Sequence, residues 1–248
     1  MRKDISNLFS NCTSEVQDYI GDVYNYFSEI NDEANLSNFK MLCAVKQKFP
    51  NLKIKFEYSK SSQFDPDNMV MSLNRKNYIV FLHECGHLIH YICNKFKVSD
   101  EFYQLKNEIN SNQVTINRKC EEYINKIDEI LKKYNNDILY DVDMSEEKFQ
   151  RLQIEQKCLL ELLDMIDATL GGITSKGHGG FYYKDDVNYE IAYSEIFANY
   201  FAIRASSVNQ FMVGVLKKCF GEKFIEALEH DYQNMNKQLN NVSKKTKL

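Results

Sequence analysis

The stretch Tyr78-Ile79-Val80-Phe81-Leu82-His83-Glu84-Cys85-Gly86-His87-Leu88-Ile89-His90-Tyr91-Ile92 decides how the rest of the chain is read. Its apolar residues have no strand-like alternation, and they predict a helix from about Arg75 to Asn94, with Asn74 as its N-cap. Four residues of α-helix turn the chain by about 400°, so His83 and His87 leave one face, one turn apart. That spacing lets two imidazoles reach one tetrahedral Zn²⁺ at about 2.0–2.1 Å. Glu84 is rotated about 100° from His83, beside the metal rather than on it, where it can take a proton from water. Tyr78, Ile79, Leu82, Leu88 and Ile92 anchor the other faces. Gly86 costs a helix interior about 1 kcal/mol against alanine, which is tolerable where another backbone packs closely. Cys85 should face away from the metal. His90 lies too far along the axis to ligate and reads as hydrogen-bonded or partly exposed.

On the N-terminal side, Leu52, Ile54 and Phe56 alternate with Lys53, Lys55 and Glu57, the period of a half-buried strand. Ser59 to Asn68 is turn-rich, and Met69, Met71 and Leu73 outline a second short strand. Helical periodicity occupies residues 14 to 30 and again 36 to 49, where Pro50-Asn51 stops it. On the C-terminal side, residues 99 to 160 are polar and free of glycine and proline. They read as a helical-hairpin insertion whose two long helices join near Asn135 to Asp143, the second continuing its apolar pattern over residues 147 to 170, with a possible surface for a protein partner. Helical patterns return over Asn188 to Ser206 and over residues 208 to 240.

A catalytic zinc site needs a third protein ligand and an open position. Glu195 is the leading candidate, in Tyr193-Ser194-Glu195-Ile196-Phe197-Ala198-Asn199, because a carboxylate on an apolar helix needs a buried partner. Glu190 is its rival nearer the polar start of that helix. Asn199, one turn beyond Glu195, could orient a ligating imidazole. Gly171, Gly172, Gly177, Gly179 and Gly180, five of the nine glycines, fall within ten residues and mark a loop able to fold over the metal. His178 within it could donate to an oxyanion or complete the zinc shell. Tyr182, Tyr183 and Tyr193 are weaker candidates for the donor role, and Asp164 and Asp167 are candidate supports.

Composition bounds the function. A formal charge of -4 argues against a general nucleic-acid binder. Lys244, Lys245 and Lys247 read as a solvated tail. No apolar run reaches the roughly 18 residues of a membrane span, and the first ten residues lack the apolar core of a secretory signal. Seven irregularly spaced cysteines without a Cys-x-x-Cys pair fit reduced thiols in the cytoplasm, with non-classical export or delivery left open.

Two resemblances follow from these residues. Met69 to Leu73, His83-Glu84-Cys85-Gly86-His87 and Glu195-x-x-Ala198-Asn199-x-Phe201-Ala202 together resemble the ImmA/IrrE metallopeptidases. That family cleaves transcriptional repressors, and its third ligand is the glutamate before the Ala-Asn pair. Asp167-Ala168-x-x-Gly171-Gly172, Gly177-His178-Gly179-x-x-Tyr182 and Glu195-Ile196-Phe197-Ala198-Asn199 look like the zincin-like domains of phage minor head proteins and polymorphic toxins. The second resemblance runs over roughly residues 50 to 230. Both imply zinc on His83, His87 and Glu195. The expectation is one predominantly helical α+β domain over residues 1–248, a zincin-like metallopeptidase fold of the glutamate-ligand type, with a small sheet and an insertion at about 99–160. Its expected chemistry is hydrolysis of peptide bonds in a protein or peptide substrate, with Glu84 as base. Two alternatives stand beside it: a zincin-fold structural or binding protein without peptidase activity, associated with a phage head or a toxin, and a site-specific repressor-cleaving protease.

Overall fold

Thr13 opens the first long helix of the computed structural model, its hydroxyl accepting a hydrogen bond from Val16 N at 3.4 Å. The structure describes residues 8–58, 61–74, 76–141, 143–183, 186 and 189–245, and side chains at all of these except 31, 32 and 241–245. The first seven residues, the Lys244 and Lys245 side chains and Lys247 lie outside what is described. Helix α1, Ser14–Lys48, is one run of helical residues that folds back on itself, so the two helical stretches the sequence suggests pack against one another. Val16, Ile20, Val23 and Phe27, and then Phe39, Leu42 and Val45, line one buried face along it. Asn35 Nδ2 donates to Tyr24 O and Ser28 Oγ at 3.0 Å each, and the Tyr24 and Phe39 rings stand 5.1 Å apart, whereas eleven residues of straight helix would span about 16 Å.

Three short strands follow: β1 (Lys53–Phe56), β2 (Gln63–Asp65) and β3 (Val70–Leu73). They form a sheet in the order β1-β3-β2, with β1 parallel and β2 antiparallel to β3. The central strand β3 buries Met71, Ser72 and Leu73. β2 was not expected from the sequence. Asp65 turns the chain back by accepting from Asp67 N, Asn68 N and Asn68 Nδ2 at 2.8–3.1 Å.

Helix α2, Tyr78–Asn94, carries the histidine pair. Its N-cap is Asn77, whose Oδ1 accepts from Ile79 N and Val80 N, and not the expected Asn74. Asn74 instead exchanges hydrogen bonds with Ser62 at 2.9–3.0 Å and so holds the approach to β2. The region expected to hold two helices holds three: α3 (Asp100–Ser111), α4 (Gln113–Tyr140) and α5 (Glu146–Thr169). Asn112 marks the unexpected break, and Cys120, Ile124, Ile127 and Leu131 bury one face of α4. α5 runs past the expected insertion boundary at residue 160, and its last turns are almost wholly buried. α6 (Glu190–Ile203) is buried nearly all round, while α7 (Asn209–Phe220) and α8 (Glu222–Lys245) close the molecule. Asp186 caps α6, accepting from Ile191 N at 3.1 Å and Ala192 N at 2.7 Å. The fold is therefore α+β and predominantly helical, with a small sheet. Among the described residues no helix is long and apolar enough to cross a membrane.

Candidate metal centre

The site forms where α2 crosses α6, with α5 behind them. Gly86 makes the crossing possible: a Cβ there would lie 2.6 Å from Ala198 Cα. The two backbones touch at that point, as the glycine inside an apolar helix suggests. Ala198 stands three residues beyond Glu195, so the contact sets that carboxylate opposite the histidine pair.

His83 and His87 face one another with Nε2 atoms 3.0 Å apart, and Glu195 Oε2 lies 3.5 Å from each. The three side chains form a group able to hold a metal ion. Donors bound at about 2.0–2.1 Å in a tetrahedron stand about 3.3–3.4 Å apart, and the observed separations bracket that value. An outer hydrogen bond sets the tautomer of neutral His83. Asn199 Nδ2 donates to Asp164 Oδ2 at 2.8 Å, so its Oδ1 is free to accept from His83 Nδ1 at 2.7 Å. His83 Nδ1 therefore carries the proton and Nε2 presents a lone pair. His87 Nδ1 contacts Ser194 Oγ at 2.8 Å, and where that hydroxyl accepts, the His87 Nε2 presents a lone pair as well. Glu195 Oε1 accepts from Tyr182 OH at 2.9 Å, but its buried Oε2 has no hydrogen-bond partner. Three donor atoms thus converge on one point, an arrangement that repels itself unless a proton or a metal cation sits between them. The residues fit a metal.

Without an ion, the same charges draw protons to the site, and a bound metal would replace them. Burial works against a charged His83, but Glu161, Glu195 and Glu84 outweigh it and hold the imidazole up at about 10. Burial also opposes charge on Glu161, yet His83 and Lys157 bring it down to about 2. Glu195 is held well below the usual carboxylate range: burial opposes this, and His87, His178 and His83 prevail. Glu84 moves the other way. Burial pushes its carboxyl up, and its Oε2 is buried without a partner. It lines a cleft of about 600 Å³ with both histidines, Glu195, Phe64 of β2 and Ile191 of α6.

Asn199 sits where a buried amide can orient a ligating imidazole, as its spacing from Glu195 suggests. Asp164 stands behind it, and Asp167 anchors the glycine-rich loop. Its carboxylate accepts from Thr174 N, Gly177 N and Gly179 N at 2.9–3.2 Å and from the Thr174 hydroxyl. His178 is carried over the site, its Nε2 3.6 Å from Glu195 Oε2 and its ring stacked on Tyr182 at 4.3 Å. It is not part of the His83–His87–Glu195 group.

Other candidates lie elsewhere. Tyr193 is buried against Phe102, and its hydroxyl donates to Asp231, so it cannot serve as a donor in the cleft. Tyr183 is buried beside Lys106 and Tyr189 in a separate cavity of about 320 Å³. Glu190 is exposed at the cleft mouth, away from the converging donors. Cys85 is buried in the core. His90 is wholly buried rather than partly exposed, its Nε2 donating to Lys97 O at 3.1 Å. Two contributors were not anticipated. Ser194 is the partner of His87, and Glu161 lies 3.5 Å from His83 Nδ1 while paired with Lys157. A serine next to the candidate ligand Glu195 was a usable signal for the first. Glu161 offered none, because its place depends on how α5 packs.

No protein-family model matches the chain, and no curated protein or solved structure is significantly similar to it.

Proposed function

We propose that the chain is a zinc-dependent, zincin-like peptidase that hydrolyses peptide bonds of a protein substrate. The observation that carries this reading is the convergence of the His83, His87 and Glu195 lone pairs with a buried, unpartnered Glu84 oxygen beside them. Two imidazoles and one carboxylate suit Zn²⁺, and they leave one tetrahedral position for chemistry. The ion, when bound, polarises the scissile carbonyl and makes water acidic enough to be deprotonated near neutral pH. Glu84 takes that proton at its carboxylate and passes it to the leaving amine. Burial suits it to both roles, because it raises the carboxyl and makes Glu84 a stronger proton acceptor than an ordinary glutamate.

His178 and Tyr182 supply donors at the cleft. Hydrogen bonding to Glu195 raises His178, and burial opposes this, so its Nε2 is more readily protonated and able to donate to a developing oxyanion. Substrate binding is read from β2, a border strand whose second edge has no partner strand among the described residues. Gln63 and Phe64 line the cleft, so an extended peptide can add to that edge and lay its backbone past Glu84. We place the protein in the cytoplasm, where its irregularly spaced cysteines would remain thiols.

Glu84→Gln tests the reading. It is expected to keep the bound metal and the melting temperature while peptide hydrolysis falls by at least about 10²-fold. A variant that hydrolyses peptide at the wild-type rate removes Glu84 from the chemistry and with it the peptidase proposal.

A further inference from the structure

Next to the first group lies a second set of donors that the proposed chemistry does not use in full. We propose that Asp164, His178 and Glu195 form a second, weaker divalent-cation site, with the Glu195 carboxylate shared between the two. This rests on the metal-binding reading of the first site, because Glu195 belongs to both.

His178 Nε2 lies 3.6 Å from Glu195 Oε2 and 3.9 Å from Asp164 Oδ2. One donor atom from each of the three falls within 4.8 Å of the others. Glu195 Oε2, the atom facing His178, is buried without a hydrogen-bond partner. The backbone holds His178 in place: its N–H donates to Asp164 Oδ1 at 3.2 Å, and the glycines on either side donate to Asp167. The approach of His178 to the two carboxylates is therefore built into the loop.

Charge points the same way. Four buried acids, Glu84, Glu161, Asp164 and Glu195, face one lysine, Lys157, which is paired with Glu161. Lys176 at the rim is engaged by Asp128. With the four acids ionised and His178 neutral, Lys157 and a single divalent ion leave this pocket one charge negative, and a further cation at His178 would offset it. Two carboxylates and one imidazole suit Zn²⁺ or Mn²⁺. The His178 side chain is 44% exposed, which makes this the exchangeable site of the two. A His178 nitrogen that holds an ion cannot also donate to substrate, so filling the second site withdraws that donor.

The test is metal stoichiometry. The full chain is dialysed against rising free Zn²⁺, and bound metal is measured by mass spectrometry in wild type, His178→Ala and His83→Ala, with circular dichroism to confirm folding. Wild type is expected to bind two equivalents in two affinity classes, and His178→Ala only the tight one. One equivalent in wild type, two in His178→Ala, or loss of both in that variant overturns the second site. If wild type binds no tight equivalent that His83→Ala loses, the first site fails and the second falls with it.

Discussion

His83 is held from two sides, and that dual support governs what the site can bind. Asn199 fixes the ring through an amide that Asp164 orients, while Glu161 sets negative charge near the same nitrogen. Asn199→Ala removes the acceptor and leaves Asp164 without its amide partner. Metal affinity is expected to fall about 10- to 100-fold, measured by competition with a chelator of known affinity. Ordinary affinity in that variant would mean that the amide plays no part in orienting the ring. His90, on the same helix, governs acid stability. Burial pushes it down to about 4, although its bond to Lys97 O opposes this. The folded state therefore binds the proton more weakly than the unfolded chain, whose histidine titrates near 6.5. The stability that neutral His90 contributes is complete above that value and is lost as pH falls from there toward 4, by on the order of 3 kcal/mol. His90→Phe is expected to show a shallower fall in melting temperature across that window, and an unchanged slope would contradict the assignment. His83, Glu84 and His87 were legible because helical spacing alone sets their relation. Glu195 and Asn199 were legible because polar groups in an apolar helix need buried partners. Glu161 was not, since nothing local tells which face of a long amphipathic helix meets a histidine nearly eighty residues earlier.

The crossing of α2 and α6 sets the geometry at the scale of elements. Alanine normally favours a helix over glycine by about 1 kcal/mol, so Gly86→Ala would stabilise an isolated α2. Here the added methyl meets Ala198 backbone at 2.6–3.2 Å, and backbone cannot swing aside as a side chain can. The substitution is expected to destabilise the protein by about 1–3 kcal/mol. It should also weaken metal binding, because Glu195 moves with Ala198. Thermal melts with and without Zn²⁺ check both effects, and a stabilised, metal-competent Gly86→Ala would show that the helices do not need this contact. The elements themselves were unevenly legible. β1 and β3 announced their period, and α2 its apolar face. β2 was hidden because three residues cannot display an alternation, and its strand character comes from pairing with β3. The break at Asn112 carries neither proline nor glycine. The two helical stretches of α1 were legible from their periodicity, while the Asn35 bonds that hold its fold-back were not.

For the molecule as a whole, the helices of the polar stretch are part of the frame of the site. α4 packs on α5, α5 brings Glu161, Asp164 and Asp167 to the cleft, and the glycine-rich loop hangs from Asp167. The resemblance to zincins covers the histidine pair, the glutamate and the loop, and the proposed peptidase function rests on those residues alone. All of it depends on one ion held between α2 and α6. The most direct measurement is an anomalous difference map at the zinc absorption edge from crystals of the full chain grown with Zn²⁺. The predicted result is a peak about 2.0–2.1 Å from His83 Nε2, His87 Nε2 and a Glu195 carboxylate oxygen. A map with no peak between those atoms, while zinc is bound elsewhere or not at all, would contradict the account.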